Sequence, residues 1–216
     1  CGQLASFVRR GGIRSPVAKS AEVPCQIDMY EKKLSALVQS NKWLMDILRT
    51  VRAINLPNGY VGAGVVRNLV WDHLHGYAEV TEVRDVDVAF FDPENLTAAR
   101  DQEAQRLLHA QRPDVPWEAT NQAAVHLWYE AAFGYSVPAL GSSEEAIGTW
   151  PETATCVGIR LLLSEQLQIV APHGLEDLFE MRLRRNPASV SMEQFQKRLL
   201  EKRILEKWPL VQVIAE

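Results

Sequence analysis

A glycine turn followed by a strand that carries two carboxylates is the feature that most constrains this chain. Residues 62–64 are Gly-Ala-Gly, and the stretch over 85–91 begins Asp-Val-Asp. Apolar side chains occupy every second position from Val86 to Phe90, which is the pattern of a β-strand with one apolar face. Asp85 and Asp87 then share the other face, where two like charges repel unless a positive group lies between them. The pair is therefore a candidate ligand set for a divalent metal ion.

Length and composition limit the class of protein. The chain has 216 residues, of which 47% are apolar and 23% are charged, as in globular proteins. A chain of this length forms one large domain, or one domain with an appended lobe. Its net charge of −4 provides no overall basic field that would attract long nucleic acids. We therefore expect a globular chain whose partners are selected by a local site.

Cysteine usage and the amino-terminal region bear on location and on domain limits. Cys1, Cys25 and Cys156 form neither a zinc pair nor a disulfide framework, which favours a reducing compartment such as the cytoplasm. No apolar run approaches the roughly 18–20 residues of a membrane helix, so we expect no membrane partner. Residues 1–28 are rich in Gly, Ser, Pro and Arg and lack a period, which indicates a flexible extension before one domain over 29–216. A targeting peptide or a lipid-bearing Cys1 is the alternative, although no apolar signal core supports either.

The apolar pattern predicts helices that alternate with short strands. The predicted helices cover residues 30–54, 65–74 and 96–110, and a mostly helical tail begins at residue 175. The predicted strands cover residues 60–61, 86–91, 114–119 and 123–129, with a hairpin formed by 155–163 and 167–171. This order indicates an α/β fold, or α+β in stricter terms, with a short mixed sheet, flanking helices and a helical C-terminal lobe.

The ordered set of motifs resembles a known enzyme superfamily. A small-residue turn that opens a helix, an Asp-x-Asp strand and a later carboxylate, here Glu118, resemble the nucleotidyltransferases of the DNA polymerase β-like superfamily. More closely, the chain resembles a bacterial family of small nucleotidyltransferase-like proteins whose acceptor is unassigned. The segments that carry this closer resemblance are 64–72, 85–87, 121–123, 126–128 and 171–179. The resemblance extends over about residues 30–214 and implies a nucleotidyltransferase-like fold.

The resemblance implies a metal-dependent transfer of a nucleoside monophosphate from an NTP to a hydroxyl group. Asp85 and Asp87 would bridge Mg²⁺ or Mn²⁺ ions, and Glu118 would complete the metal site. Glu118 would also take the proton of the attacking hydroxyl. The acceptor would be a small molecule, a protein side chain or an RNA end, of which the RNA end is the least favoured. The number of chains in the assembly does not follow from these motifs.

The glycine turn would hold the triphosphate in this family pattern. Gly62 and Gly64 would allow the backbone to approach the phosphates, together with Ala63 between them. Arg67 or Asn68 would contact a phosphate or fix the turn. For each of these residues a structural role in the turn, or a salt bridge of Arg67, is the alternative interpretation.

Two residues depart from the superfamily pattern. Position 63 is usually Ser or Gly, and Ala63 has no hydroxyl to donate to a phosphate, so backbone N–H groups would bind the phosphate alone. Glu118 is one methylene longer than the more common Asp. The second hypothesis is therefore a catalytically weak or inactive member that binds nucleotide as a sensor or interaction module. The three filled carboxylate positions favour the enzyme, and Ala63 favours the binding module.

A basic cluster near the carboxyl end is a further feature of the sequence. Between residues 182 and 207 eight basic residues stand against three acidic ones. A solvated helix face is the simpler interpretation of such a cluster. The alternative is a patch for an RNA end, a nucleoside triphosphate or an acidic partner.

Overall fold

The computed structural model describes residues 26–214, and the side chains of residues 29–214. Residues 1–25 of the predicted flexible extension lie outside this part, and residue 26 already belongs to the first helix. The single domain over 29–216 stays a prediction. Within the described residues, no helix is both long and apolar enough to cross a membrane.

The described residues form helices and two small sheets. The helices are α1 (Gln26–Ser40), α2 (Lys42–Ile54), α3 (Gly64–His75), α4 (Ala98–Gln111), α5 (Val125–Phe133), α6 (Ser143–Gly148), α7 (Glu176–Phe179), α8 (Met192–Lys202) and α9 (Ile204–Lys207). The strands are β1 (Tyr60–Gly62), β2 (Val86–Phe90), β3 (Trp117–Asn121), β4 (Gly158–Leu161), β5 (Leu167–Val170), β6 (Arg182–Arg184) and β7 (Gln212–Ile214). A short 3₁₀ turn covers Thr153–Thr155.

The larger sheet is mixed, which confirms the predicted α/β class. Its five strands follow the order β3-β2-β1-β4-β5. β2 and β3 are parallel, and the other neighbours are antiparallel. The predicted hairpin is confirmed as β4 and β5. The apolar face of β2 is fully buried, with Val86, Val88 and Phe90 at most 1% exposed, so the alternation in the sequence marks the core side of this strand.

The predicted helix over residues 30–54 is wrong in one respect, because it is two helices. Asn41 lies between α1 and α2 in an extended conformation, and its side chain accepts a hydrogen bond from Leu44 N at 2.9 Å. This is an N-cap, which begins a new helix and ends the preceding one. The apolar spacing is nearly continuous across the break, so periodicity alone does not reveal it.

The predicted strand over residues 123–129 is also wrong, because this stretch enters helix α5. Asn121, fully buried at the end of β3, turns the chain away from the sheet. Its side-chain oxygen accepts from Asp92 N at 2.9 Å, and its amide donates to the carbonyls of Asp92 and Asn95 at 2.9 Å. These bonds hold the loop after β2 against the end of β3, and the chain leaves the ladder there.

The carboxyl-terminal tail is less helical than predicted. Beside α7, α8 and α9 it contains β6 and β7, which pair in parallel with Arg182 opposite Gln212. Trp208 anchors the end of this region, since its side chain is fully buried and its indole N–H donates to Asp72 of α3 at 2.7 Å. The tail therefore packs directly against the helix that follows the glycine turn.

Candidate active site

The three neighbouring strands β1, β2 and β3 bring the predicted site residues together. Gly62, the last residue of β1, pairs with Asp87 of β2, and Asp87 pairs with Glu118 of β3. Directly paired residues of neighbouring strands project from the same face of a sheet. Asp85 precedes Asp87 by two positions and lies on that face as well. Asp85, Asp87 and Glu118 accordingly line one cleft.

The cleft has a volume of about 260 Å³. The three carboxylates form its acidic wall. Ala63, Gly64 and Arg67 line the cleft beside the three carboxylates. The remaining lining residues come from two distant segments and are Trp150, Pro151, Glu152, Thr155, Arg198 and Lys202. Gly62 and Asn68, which the sequence placed among the nucleotide-binding residues, do not line the cleft.

Asp87 has the most perturbed carboxylate of the cleft. Burial, together with repulsion from Asp85 and Glu118, raises its pKa from 3.8 to about 7. The positive charges of Lys202 and Arg198, which line the same cleft, oppose this rise in part. Among the residues that the structure describes, no hydrogen bond or ion pair compensates Asp85, Asp87 or Glu118. The acidic wall is therefore a place where a cation would relieve repulsion.

The donor set of this wall fits a hard divalent cation. Carboxylate oxygens are the ligands that Mg²⁺ and Mn²⁺ prefer, and Mg²⁺ completes its shell with waters and substrate phosphates. Within residues 29–214 no three His, Cys, Asp or Glu side chains are already gathered as a metal-ligand group. The fit therefore rests on the chemistry of the donors, their shared cleft and the repulsion between them, which the neighbouring cations relieve only in part.

The two glycines of the turn have different roles. A Cβ at Gly62 would lie 2.4 Å from the carbonyl oxygen of Val157 and 2.7 Å from the Trp150 ring, so only glycine fits there. A Cβ at Gly64 would meet Asp85 Oδ1 at 3.6 Å and Arg67 Nη2 at 3.9 Å, which are ordinary contacts. Gly62 is thus required for packing, whereas Gly64 borders the cleft between an acidic and a basic group.

Ala63 occupies a backbone conformation that L-residues rarely adopt. Its φ is 54° and its ψ is −123°, and such a conformation costs on the order of 1–3 kcal/mol. Its N–H donates to Val157 O at 3.3 Å, and its carbonyl accepts from Arg67 N at 3.1 Å. No side chain caps α3, so the first N–H groups of this helix are left for another acceptor, and helix amino ends attract anions.

Arg67 is a buried cation at the same end of α3. Only 6% of the residue is exposed, its Nη2 donates to Asn68 Oδ1 at 2.8 Å, and its Nε has no partner. The guanidinium lies 4.9 Å from the Trp208 ring and 5.4 Å from the Trp71 ring. Burial lowers its pKa to about 10, so it stays charged at neutral pH, and Asn68 holds it in place.

Sequence reasoning missed the far wall of the cleft. Glu152 and Thr155 lie in and beside the 3₁₀ turn, and Arg198 and Lys202 lie on α8. The basic cluster between residues 182 and 207 contains Arg198 and Lys202 and was the one sequence feature that could have indicated them. Its simpler interpretation was a solvated helix face. These two of its eight basic residues line the cleft instead.

Comparisons with solved structures support the fold. An NMR structure described as a CCA-adding enzyme head domain is 28% identical, with a TM-score of 0.73 over 86% of this chain and 96% of that chain. The Thermotoga maritima CCA-adding enzyme complexed with tRNA is 15% identical, with a TM-score of 0.52 over 85% of this chain and 42% of that chain. A CCA-adding enzyme with ATP is 14% identical, with a TM-score of 0.51 over 84% and 43% of the two chains. The chain spans less than half of these two enzymes, and the likeness to them shows the fold alone.

A family comparison addresses the class of protein. Curated proteins provide no match. A family model described as nucleotidyltransferase matches residues 49–213, which include the glycine turn, the three carboxylates and α8. The chain therefore belongs to this nucleotidyltransferase family, whose members are enzymes that transfer nucleotidyl groups.

Proposed function

We propose that this chain uses a divalent metal ion to transfer a nucleoside monophosphate from an NTP to a hydroxyl group. The observation that carries the proposal is the composition of one cleft. It combines three carboxylates without compensating partners, the amino end of α3 and a buried arginine with an unpaired nitrogen. A cation would bind the carboxylates, and a phosphate would bind the amino end of α3 and the arginine. A metal–NTP complex supplies both ligands.

Asp85, Asp87 and Glu118 would hold Mg²⁺ or Mn²⁺. A bound divalent ion supplies charge stabilisation at a transferring phosphoryl group. The chain supplies the position: β2 and β3 bring Asp87 and Glu118 to directly paired positions, and Asp85 lies beside Gly64. The hydrophobic anchor on the other face of β2 keeps these carboxylates facing the cleft.

The remaining groups have roles that follow from their places. The N–H groups at the start of α3 and the Arg67 guanidinium would bind the triphosphate, and Gly64 would let it approach the backbone. Glu118 is exposed at the cleft and would accept the proton of the attacking hydroxyl at its carboxylate. The acceptor oxygen then bonds to the α-phosphorus while the α–β phosphate bond breaks.

The acceptor stays open among a small molecule, a protein side chain and an RNA end. The net charge of −4 disfavours long nucleic acids as partners. Scattered cysteines favour the cytoplasm as the place of action.

A nucleotide-binding sensor is the second candidate, and Ala63 favours it. Ala63 contributes no hydroxyl to a phosphate and holds a strained backbone conformation without a side-chain cap. Such a sensor would need the phosphate-binding groups but not the geometry that transfer requires.

Labelled NTPs, incubated with the chain, Mg²⁺ or Mn²⁺ and fractionated cell extract, test the proposal. We expect label to pass to one acceptor fraction, and Asp87→Asn to reduce transfer at least about a hundredfold, because it removes a metal-ligand charge at constant size. Asp114→Asn is the matched control, since the Asp114 side chain is 58% exposed and pairs with Arg112 at 2.8 Å outside the cleft. NTP binding without transfer to any fraction would favour the sensor, and no NTP binding would contradict both candidates.

A further inference from the structure

We infer that Arg198 and Lys202 of α8 bind the β- and γ-phosphates of the nucleotide and hold pyrophosphate as it leaves. This inference rests on the proposed function and names the part of the substrate that the far wall of the cleft recognises.

Helix α8 presents two basic side chains to the cleft. Arg198 and Lys202 are four residues apart on one helix and so share a face. Both line the cleft that contains Asp85, Asp87 and Glu118. A basic wall therefore lies within electrostatic reach of the acidic wall.

Arg198 is held in a fixed orientation. Its Nε donates to Glu152 Oε1 at 2.8 Å and its Nη2 to Glu152 Oε2 at 3.4 Å. Glu152 is 5% exposed, and Thr155 Oγ1 donates to the same carboxylate. This two-bond contact leaves Arg198 Nη1 without a partner among the described residues. Glu152 is thus a positioning residue, and it orients the guanidinium edge that remains for a ligand.

Lys202 provides the second cation. It is partly buried and has no ion pair within the described part of the chain, whereas Lys197 of the same helix is exposed and lies 3.7 Å from Glu201. Lys202 and Arg67 both repel Lys207 and lower its pKa, although burial is the main cause of that shift. Lys202 therefore brings to the cleft an ammonium group that no ion pair within the described residues occupies.

The charges of the two walls match the charges of the substrate. Glu152 already neutralises Arg198 in part, whereas Lys202 has no ion pair within the described residues. A triphosphate that carries several negative charges can contact the amino end of α3 and Arg67 at one end and α8 at the other. When the α–β phosphate bond breaks, its electron pair departs with pyrophosphate, and Arg198 and Lys202 stabilise that developing charge.

Binding of inorganic pyrophosphate in Mg²⁺ by the full chain, measured by calorimetry, tests this inference without choosing a base or an acceptor. We expect Lys202→Gln to weaken pyrophosphate affinity at least about tenfold and Arg198→Lys about three- to tenfold. Lys197→Gln is the control on the same helix and should stay within about twofold. Lys202 makes no hydrogen bond or ion pair within the described residues, so Lys202→Gln should stay folded and lose only the partial relief that its charge gives to Asp87.

Two results would overturn the inference while leaving the proposed function intact. One is pyrophosphate affinity within about twofold of wild type in both α8 variants. The other is wild-type chain that binds an NTP in Mg²⁺ but shows no measurable affinity for pyrophosphate. Failure of the wild type to bind any of the four NTPs would instead contradict the proposed function itself.

Discussion

Asp87 is the carboxylate of the cleft whose pKa the structure shifts most. Its carboxylate is partly buried, faces two other carboxylates and has a pKa raised from 3.8 to about 7. The folded chain therefore binds a proton at this residue between about pH 4 and pH 7, and the unfolded chain does not. A group with this sign makes folding less favourable as pH rises through that window.

At the residue scale we predict that Asp87→Asn removes this pH dependence. In chelator, the free energy of unfolding of wild type should fall relative to the variant by about 1–3 kcal/mol between pH 5 and pH 8. Urea unfolding at the two pH values measures the difference. The difference in free energy of unfolding between wild type and Asp114→Asn should instead stay constant from pH 5 to pH 8. Arg112 lowers the pKa of Asp114 to about 2, so this carboxylate is ionised throughout the range. Parallel pH curves for wild type and Asp87→Asn would contradict the prediction.

At the element scale, the turn from β1 into α3 contains one glycine required for packing, Gly62, and one that borders the cleft, Gly64. Gly62→Ala should lower stability by about 1–3 kcal/mol or more, because its Cβ would overlap the Val157 carbonyl and the Trp150 ring. Gly64→Ala should change stability by less than about 1 kcal/mol and weaken NTP binding, since its Cβ would enter the phosphate side of the cleft.

Urea unfolding and NTP titration of both variants distinguish the two roles. Unchanged NTP affinity in Gly64→Ala would show that this glycine serves the turn alone. A Gly62→Ala variant as stable as wild type would show that β4 and Trp150 can move away from β1.

At the scale of the whole molecule, the carboxyl-terminal region completes the site that the glycine turn begins. Trp208 is fully buried, donates to Asp72 at 2.7 Å, meets the Trp71 ring edge-on at 5.4 Å and supports the Arg67 guanidinium. The end of α3 that we propose binds phosphate thus depends on a residue more than a hundred positions later in the chain.

We predict that Trp208→Leu lowers the free energy of unfolding by about 2–5 kcal/mol and weakens NTP binding severalfold. The variant creates a cavity, leaves an Asp72 oxygen without its indole donor and removes a ring beneath Arg67. Leu210→Ala is the control, since 56% of Leu210 is exposed, and its effect should stay within about 0.5 kcal/mol. Equal NTP affinity in Trp208→Leu would show that Arg67 holds its position without this ring.

Glu118 was identified from the resemblance to the superfamily pattern rather than from local spacing. Short-range patterns were enough to predict β2, α3, the β4–β5 hairpin and the pair Asp85 and Asp87. Each of these depends on residues close in sequence: alternation places side chains on one face, and glycines mark the turn. The ends of helices and strands were less predictable where a side-chain hydrogen bond ends the element. Asn41 caps α2 locally, and Asn121 ends β3 through bonds to a loop about thirty residues earlier.

Only the tertiary structure placed Glu152, Arg198 and Lys202 opposite the carboxylates. A basic residue on an amphipathic helix has the same local pattern whether it faces water or a cleft. Its partner is set by packing between segments such as α8 and the 3₁₀ turn, about forty residues apart, and Lys202 lies more than a hundred residues from Asp87. The same holds for the separate roles of Gly62 and Gly64, because the space around a missing Cβ is filled by Val157 and Trp150, which no local pattern places there.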